Sequence, residues 1–324
     1  MTAALAFSKL SKSYPKAKTP ALHEISFTLQ QGEILALIGE SGSGKSTLLR
    51  TAAGLEKPDS GELSLGSQTL VSQSVFVPPE KRSIGLVFQD GALFPHLNAF
   101  DNLIYGLQGK TTKEKRDAAR QLLELVGLAD KSKRFPHELS GGERQRLAVG
   151  RTLAPRPKVI LLDEPFGSLD PALRRKLRQE VIDLLHRFQT SVILVTHDPE
   201  DALSVADRII ALRSGCIEQT GTPADFYNRP ANAYCAELFG PANELRLESG
   251  DARWFRPERV KLADESDNAA ISVEIARVRN KGRHLELQVR PANSKLSPTS
   301  RLWTIELPTK TLLDDRKTIR IHVD

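Results

Sequence analysis

The chain has 324 residues, of which 40% are hydrophobic and 27% charged, with a formal net charge of +6. That length accommodates two hydrophobic cores, and the composition excludes a fibrous, collagenous or disordered polypeptide. The two cysteines, Cys216 and Cys235, cannot frame a disulfide-stapled secreted fold, no apolar run approaches the roughly 18 residues of a membrane span, and no tract of five Lys/Arg marks a nucleic-acid arm.

The start, Met1-Thr2-Ala3-Ala4-Leu5-Ala6-Phe7, lacks the basic residues and long apolar core of a signal peptide, so a cytoplasmic or peripheral protein is expected. A first strand opens at Leu5-Ala6-Phe7, and Leu22, Ile25, Phe27 and Leu29 alternate with polar residues as in a half-buried strand. Tyr14, between them, is either an aromatic platform for a base or an ordinary surface or core tyrosine. The run Ile34-Leu35-Ala36-Leu37-Ile38 then leads into Gly39-Glu40-Ser41-Gly42-Ser43-Gly44-Lys45-Ser46-Thr47, with Leu48-Leu49 behind it. This is G-x-x-x-x-G-K-S in a strand–loop–helix setting, the phosphate-binding P-loop. Its glycines let successive N–H groups turn onto phosphate oxygens without a Cβ in the way, and the new helix points its positive dipole end at the same anion. Lys45 is expected to reach the β- and γ-phosphates and the Ser46 hydroxyl to ligate Mg2+. The early strands and the P-loop strand together imply a mixed sheet.

Gly54 to Glu62 is turn chemistry, and Leu63 and Leu65 open another strand. The rigid loop Pro78-Pro79-Glu80-Lys81-Arg82 precedes Ile84-Gly85-Leu86-Val87-Phe88-Gln89, a buried strand ending on an amide. Gln89 has two readings, a Mg2+ or water ligand at the strand's carboxyl end, or a capping amide. Residues 111–128 carry an amphipathic helix pattern. Leu139-Ser140-Gly141-Gly142-Glu143-Arg144-Gln145-Arg146-Leu147 is a second Gly-rich turn feeding a helix, with the Ser140 hydroxyl and backbone donors in the form of an anion site. Two such sites for one nucleotide imply that half of the site comes from a second copy of the chain. Val159-Ile160-Leu161-Leu162 is a strand ending in Asp163, expected to hold Mg2+, and Glu164, expected to be the base that polarises water. Ser191 to Val195 repeats the design and ends near His197, which either bonds the γ-phosphate region or is structural. Ile209 to Leu212 is a further strand, and Ala224–Tyr227 a short helix. Past Gly240-Pro241 the helical periodicity ends, and Ile271/Val273/Ile275, Leu285/Leu287/Val289, Trp303/Ile305/Leu307 and Ile319/Ile321/Val323 alternate in twos, the pattern of a small antiparallel barrel of OB type.

Four elements in fixed order, Gly39 to Ser46, Leu139 to Gln145, Val159 to Glu164 and His197, resemble an ABC-type ATPase, the nucleotide-binding subunit of an ABC transporter. The Leu139-Ser140-Gly141-Gly142-Glu143 signature separates this family from other P-loop proteins. The resemblance implies an α/β P-loop ATPase with a helical subdomain over residues 1–240 and a small all-β OB-like domain over residues 241–324. By position, Tyr14 is similar to the adenine-stacking aromatic, Gln89 to the Q-loop, Ser168-Leu169-Asp170 to the D-loop and His197 to the switch histidine. Lys45, Gln89, Glu164 and His197 are then expected in catalysis, Ser46, Gln89 and Asp163 on the metal, and the P-loop with Ser140, Gly141, Gly142 and Asp170 on ATP. Glu143 stands where the family often has glutamine, and Gly167 to Asp170 replaces the commoner Ser-Ala-Leu-Asp. The family implies a head-to-tail homodimer with ATP between the P-loop of one subunit and the signature of the other. It also implies two membrane permease subunits, contacted around Gln89 to Tyr105, a periplasmic or lipid-anchored solute-binding protein, and a place on the cytoplasmic face of the membrane.

The tail resembles the TOBE domain of bacterial importer ATPases, with Phe255-Arg256-Pro257-Glu258 as the local match. Val77 to Arg82 and Val87 to Leu97 are similar to stretches of ferric-iron import ATPases, and sulfate, molybdate, thiamine and polyamine import ATPases look alike. A non-transport member acting on nucleic acid or the ribosome would carry two cassettes or a long coiled coil, and the chain has one P-loop, one signature and no sustained heptads. A GTPase would need a guanine motif, and Asn280-Lys281-Gly282 runs on to Arg283 instead.

Overall fold

The computed structural model describes residues 3–15, 17–89, 91–107, 111–167, 171–246, 251–264, 267, 270–293, 296, 302–309, 311 and 317–323. The chain divides into two compact units, Met1–Pro223 and Ala224–Asp324. In chain order the first unit begins β1 (Ala3–Lys12), β2 (Leu22–Gln30), β3 (Ile34–Ile38), α1 (Lys45–Ala53), β4 (Ser60–Leu65), β5 (Gln68–Val71) and β6 (Ile84–Val87). It continues with α2 (Ala99–Gly106), α3 (Thr112–Leu125), α4 (Gly141–Leu153), β7 (Val159–Asp163), α5 (Pro171–Phe188), β8 (Ser191–Val195), α6 (Pro199–Val205), β9 (Arg208–Arg213) and β10 (Cys216–Gly221).

Two sheets form, where the sequence implied one mixed sheet with the early strands in it. The first is four-stranded and antiparallel, in the order β2-β1-β4-β5. The second is six-stranded, in the order β10-β9-β3-β8-β7-β6, parallel except for β10. The physical reason lies in the burial patterns. Strand β2 buries Leu22, Ile25 and Leu29 and leaves polar residues between them outside, as a sheet wetted on one face does. All five residues of β3 and of β8 are buried, because the larger sheet is covered on both faces.

The two faces are legible residue by residue in β7. Val159 and Leu161 pack with β3's Leu35 and Leu37, with Leu48, Leu49 and Ala52 of α1, and with the antiparallel sheet. Ile160 and Leu162 point the other way, onto α2 to α5 through Leu103, Leu123, Leu147 and Val181. Helix α1 therefore lies between the two sheets, while α2 to α4 form the helical layer. Helix α3 starts on a capping box, Thr111 and Glu114, inside the expected 111–128 span.

The second unit contains α7 (Pro223–Asn228), which extends the expected Ala224–Tyr227 helix, α8 (Ala233–Glu237), and the hairpin β11 (Asn243–Arg246) and β12 (Ala252–Phe255). Strands β13 (Val260–Leu262), β14 (Ile271–Asn280), β15 (His284–Pro291), β16 (Trp303–Pro308) and β17 (Thr318–Val323) pair antiparallel in the order β13-β17-β14-β15-β16. The edge strands β13 and β16 approach one another, so the sheet is nearly closed, as expected of a small OB-like barrel. Its core is Val273, Leu287, Val289, Ile305, Leu307, Ile321 and Trp303. Trp303 meets Phe255 edge-on at 5.1 Å and donates its indole N–H to the Glu244 carbonyl at 3.0 Å.

The motif Phe255-Arg256-Pro257-Glu258 is an internal clamp of this unit. The buried Arg256 guanidinium donates to the carbonyls of Tyr227, Ala236 and Gly240 and stacks 4.7 Å over the Tyr227 ring. Glu258 accepts from the Tyr227 hydroxyl, whose pKa is pushed up to about 12 by burial and by that carboxylate.

Candidate active site

The site is built at the carboxyl ends of parallel strands, where an open α/β sheet places its ligands. The P-loop follows β3, Asp163 and Glu164 end β7, His197 follows β8, and Gln89 follows β6 at the sheet edge. One cavity of about 450 Å3 is lined by Ser41, Gly42, Gly44, Lys45, Ser46, Thr47, Glu164 and His197, with Ala21.

Local backbone chemistry makes this cavity an anion cradle. Helix α1 begins at Lys45 with Gly44 as N-cap, no side chain caps its first turn, and no acid stands in that turn. Its N–H groups are therefore left for an outside acceptor. Gly44 has φ 107° and a Cβ there would fall 2.3 Å from the Ala21 carbonyl, so only glycine fits. The loop is braced from behind by Gly215, whose N–H donates to the Ser43 carbonyl at 3.1 Å. Lys45 Nζ donates to the Gly39 and Glu40 carbonyls at 2.7 and 2.8 Å and lies 3.4 Å from Ser43 Oγ. Burial lowers the Lys45 pKa, against the pull of Glu164, Asp163 and Glu40.

Across the cavity, Nδ1 of His197 lies 2.9 Å from Oε2 of Glu164. Glu164 holds a left-handed backbone, φ 46°, unusual for a non-glycine residue and costing on the order of 1 kcal/mol. The pattern of acids and the β7 strand made Asp163 and Glu164 legible; the tight turn that swings Glu164 toward His197 has no sequence signal of its own. Asp163 is half-buried, and burial, then the neighbouring Glu164 charge, raises its pKa against Arg50 and Lys45.

The remaining expected residues lie off this lining. Gln89 is exposed one residue beyond Phe88, and Asp170 lies outside the described residues, as do Ser168 and Leu169. Tyr14 is half-exposed beneath the Lys12 ammonium, 5.5 Å from its ring centroid. Burial opposes the charge on Lys12, but Glu56 and Asp59 hold its pKa above the ordinary lysine value, and Asp59 also accepts from the Ser13 N–H at 2.6 Å. The sequence offered no hint that Lys12 and Asp59 pin the Tyr14 segment.

Ser140, Gly141 and Gly142 open α4 in the helical layer and do not line the P-loop cavity. Ser140 is the N-cap, and Glu143 closes a capping box by accepting from the Ser140 N–H at 3.0 Å. Lys131 Nζ lies 2.5 Å from the other Glu143 oxygen, and this bond, then the Ser140 N–H, holds the Glu143 pKa below its ordinary value.

Between β6 and α2 the chain presents aromatic rings at the surface. Phe94 packs on Tyr105 at 4.4 Å, Arg151 sits 5.2 Å over Phe94, and Tyr105 is 63% exposed. The fully buried Asn102 shapes the loop, exchanging bonds with the Phe94 N–H and carbonyl and donating to the Leu97 carbonyl.

The donor set suits Mg2+ bound with a nucleotide. Among the described residues no group of three His, Cys, Asp or Glu could hold a metal alone. The Ser46 hydroxyl and the Asp163 carboxylate are hard oxygen donors, few enough that phosphate oxygens must complete an octahedral shell. A cation would also relieve Asp163, whose charge is disfavoured by burial.

Comparison with known proteins agrees with this geometry. The family described as ABC transporter matches residues 22–167. A Fe(3+) ions import ATP-binding protein of Haemophilus influenzae is 39% identical over 296 residues, covering 83% of this chain and 83% of the relative. A sulfate/thiosulfate import ATP-binding protein of Brucella melitensis is 38% identical over 323 residues, covering 91% of this chain and 87% of the relative. Among solved structures, the ATP-binding cassette MJ0796, a dimer in a post-hydrolysis state bound to ADP and Pi, is 30% identical with a TM-score of 0.59, over 68% of this chain and 98% of its own. With its P-loop cavity, its paired Glu164 and His197 and these relatives, the chain belongs to the ABC transporter family of ATP-binding proteins and is an ATPase.

Proposed function

We propose that the chain is the ATP-hydrolysing subunit of a bacterial ABC importer, a head-to-tail homodimer on the cytoplasmic face of the membrane that drives solute uptake through two separate permease subunits. A solute-binding protein outside the membrane delivers the cargo, and residues 241–324 form a TOBE-type domain. The observation that carries this reading is the division of the site: the P-loop, Glu164 and His197 share one cavity, and the Ser140 signature stands outside it. A partner's signature completes the site from the opposite side. No helix among the described residues is long and apolar enough to cross a membrane, so the transport path belongs to other chains. The Phe94–Tyr105 surface is the proposed permease contact.

In the proposed mechanism the β- and γ-phosphates of ATP settle on the N-terminus of α1, and Lys45 turns from the Gly39 and Glu40 carbonyls to the phosphate oxygens. Tyr14 stacks on the adenine. Mg2+, held by Ser46, Asp163 and Gln89 when bound, neutralises phosphate charge. Glu164 accepts a proton from the attacking water as its oxygen bonds the γ-phosphorus and the bond to the β–γ bridging oxygen breaks. His197 holds the Glu164 carboxylate and the γ-phosphate in register. Gly141, Gly142 and Asp170 act from the partner face.

The proposed cargo is ferric iron, supported by the Val77 to Arg82 and Val87 to Leu97 stretches and by the relative named for Fe(3+) import. The relative named for sulfate/thiosulfate import, at 38% identity, makes sulfate the second reading. The test is uptake of labelled ferric iron, sulfate and spermidine in host cells whose only copy carries Glu164→Gln, beside wild type. Selective loss of iron uptake supports the proposal, loss of another solute replaces the cargo, and no loss anywhere overturns the importer reading.

A further inference from the structure

Two loops carry the proposed chemistry, and one side chain touches both. Arg174, in the first turns of α5, forms an ion pair with the Asp198 carboxylate and donates from Nη2 to the Gly167 carbonyl at 3.4 Å. Asp198 follows His197 directly, and Gly167 ends the turn that begins at Glu164, its N–H donating to the Glu164 carbonyl at 3.2 Å. Gly167 lies against the reacting pair: a Cβ placed on it would stand 3.7 Å from Glu164 Oε2 and 3.8 Å from His197 Cε1.

The pair needs such support. The His197 side chain is 58% exposed, and Glu164 sits in a strained backbone conformation that its surroundings must hold. The residues on either side of His197 are tied down instead. Thr196 Oγ1 accepts from the Asp198 N–H at 2.9 Å and donates to Asp201 Oδ2 at 3.0 Å. Asp201 pairs in turn with the buried Arg178, one turn further along α5, at 2.8 Å. Arg178 also reaches Glu200 and Ser204, so it bolts α5 to α6. Arg174 does something different, because it reaches the Gly167 loop as well as Asp198, the residue that follows His197 and caps α6.

We propose that Arg174 is a positioning residue that sets the Glu164–His197 geometry by clamping the Gly167 and Asp198 loops together. The inference rests on the proposed roles of Glu164 and His197. A planar guanidinium spans two acceptors in a fixed fork, which a lysine ammonium does not reproduce. Displacing reacting groups by about 1 Å costs about a hundredfold in rate, so losing the clamp lowers turnover without emptying the nucleotide site.

The experiment compares the full-length wild type with Arg174→Met, Arg174→Lys, Asp198→Asn, the double variant Arg174→Met/Asp198→Asn, and Glu164→Gln. Asn at 198 retains the N-cap of α6 while discharging the pair. Steady-state kcat and KM, equilibrium ATP binding and thermal melting are measured for each. The expected result is a kcat loss of about 10- to 100-fold in the Arg174 variants, with ATP affinity and melting unchanged and Lys rescuing only in part. The double variant should be no slower than Arg174→Met alone, as for two groups acting through one contact. Wild-type kcat, parallel loss of ATP affinity and melting, or multiplying losses in the double variant would each overturn the clamp. Glu164→Gln separates the two readings: if it is inactive while Arg174→Met turns over normally, only the clamp falls; if Glu164→Gln turns over at the wild-type rate, the base assignment falls and the clamp with it.

Discussion

Oε2 of Glu164 and Nδ1 of His197 stand 2.9 Å apart at the ends of neighbouring parallel strands, β7 and β8. Both line the P-loop cavity without belonging to the backbone that would hold the phosphates, so binding and chemistry are separable by mutation. His197→Ala is expected to leave ATP affinity within about twofold and to lower turnover by about a hundredfold or more, the scale of a disturbed acid–base group. Steady-state turnover beside equilibrium nucleotide binding checks this; an equal fall in both would make the histidine a binding residue.

Asp163 carries a cost in the empty protein. Burial, then the Glu164 charge, raises its pKa, so the folded state takes up its proton more readily than the unfolded state. The ionised form therefore weakens the fold above the raised value, and the penalty is relieved as pH falls through that value toward the unfolded one. Asp163→Asn should raise the melting temperature of the nucleotide-free protein at neutral and alkaline pH, with the gain shrinking in acid, while Mg2+-dependent hydrolysis is lost. Melting curves of both proteins across pH, without nucleotide, give the answer.

The Glu143 carboxylate behaves in the opposite sense. The Lys131 bond, then the Ser140 N–H, lowers its pKa, so its contribution is present above the ordinary glutamate value and disappears as pH falls through the lowered one. Because Lys131 is 38% exposed, the pair's coupling should stay below about 1 kcal/mol. A double-mutant cycle with Lys131→Met and Glu143→Gln, at neutral pH, at high salt and in acid, should show that coupling in the first condition and not in the last.

Arg82 closes the far end of the P-loop helix. Its buried guanidinium donates to the Thr51 and Ala52 carbonyls, each at 2.8 Å, and to the Val77 carbonyl at 2.7 Å. A cation there satisfies the last carbonyls of α1 and complements its dipole, although burial pushes the Arg82 pKa down to about 10. Arg82→Met should destabilise the first unit by about 2–3 kcal/mol, read from the shift of the urea unfolding midpoint.

Much of the site could be read from the chain because its chemistry is local. Gly39 to Thr47 contains its own turn, and Ile34–Ile38 and Lys45–Ala53 fall on either side of it as strand and helix. The runs ending at Asp163 and His197 were legible for the same reason, since a fully buried parallel strand is a short apolar word with a polar stop. The separation into two sheets was also written in the residues, as alternation in Leu22 to Leu29 against continuity in Ile34 to Ile38. Period alone, however, names a buried face and not the sheet that owns it. Lys131 with Glu143, Arg82 with Thr51, and Arg174 with Asp198 were invisible, because each joins distant segments and any of the many surface cations would have fitted the pattern equally well.

The signature turn at Ser140 stands outside the cavity that holds Lys45, and this has a kinetic meaning. Under the two-chain arrangement proposed above, turnover is a property of encounters between molecules. Activity per chain should climb with protein concentration before reaching a plateau at which pairing is complete. Ser140→Arg and Glu164→Gln proteins, each inactive alone, should then regain activity when mixed, because the P-loop, Glu164 and His197 of the first and the signature of the second make one intact site.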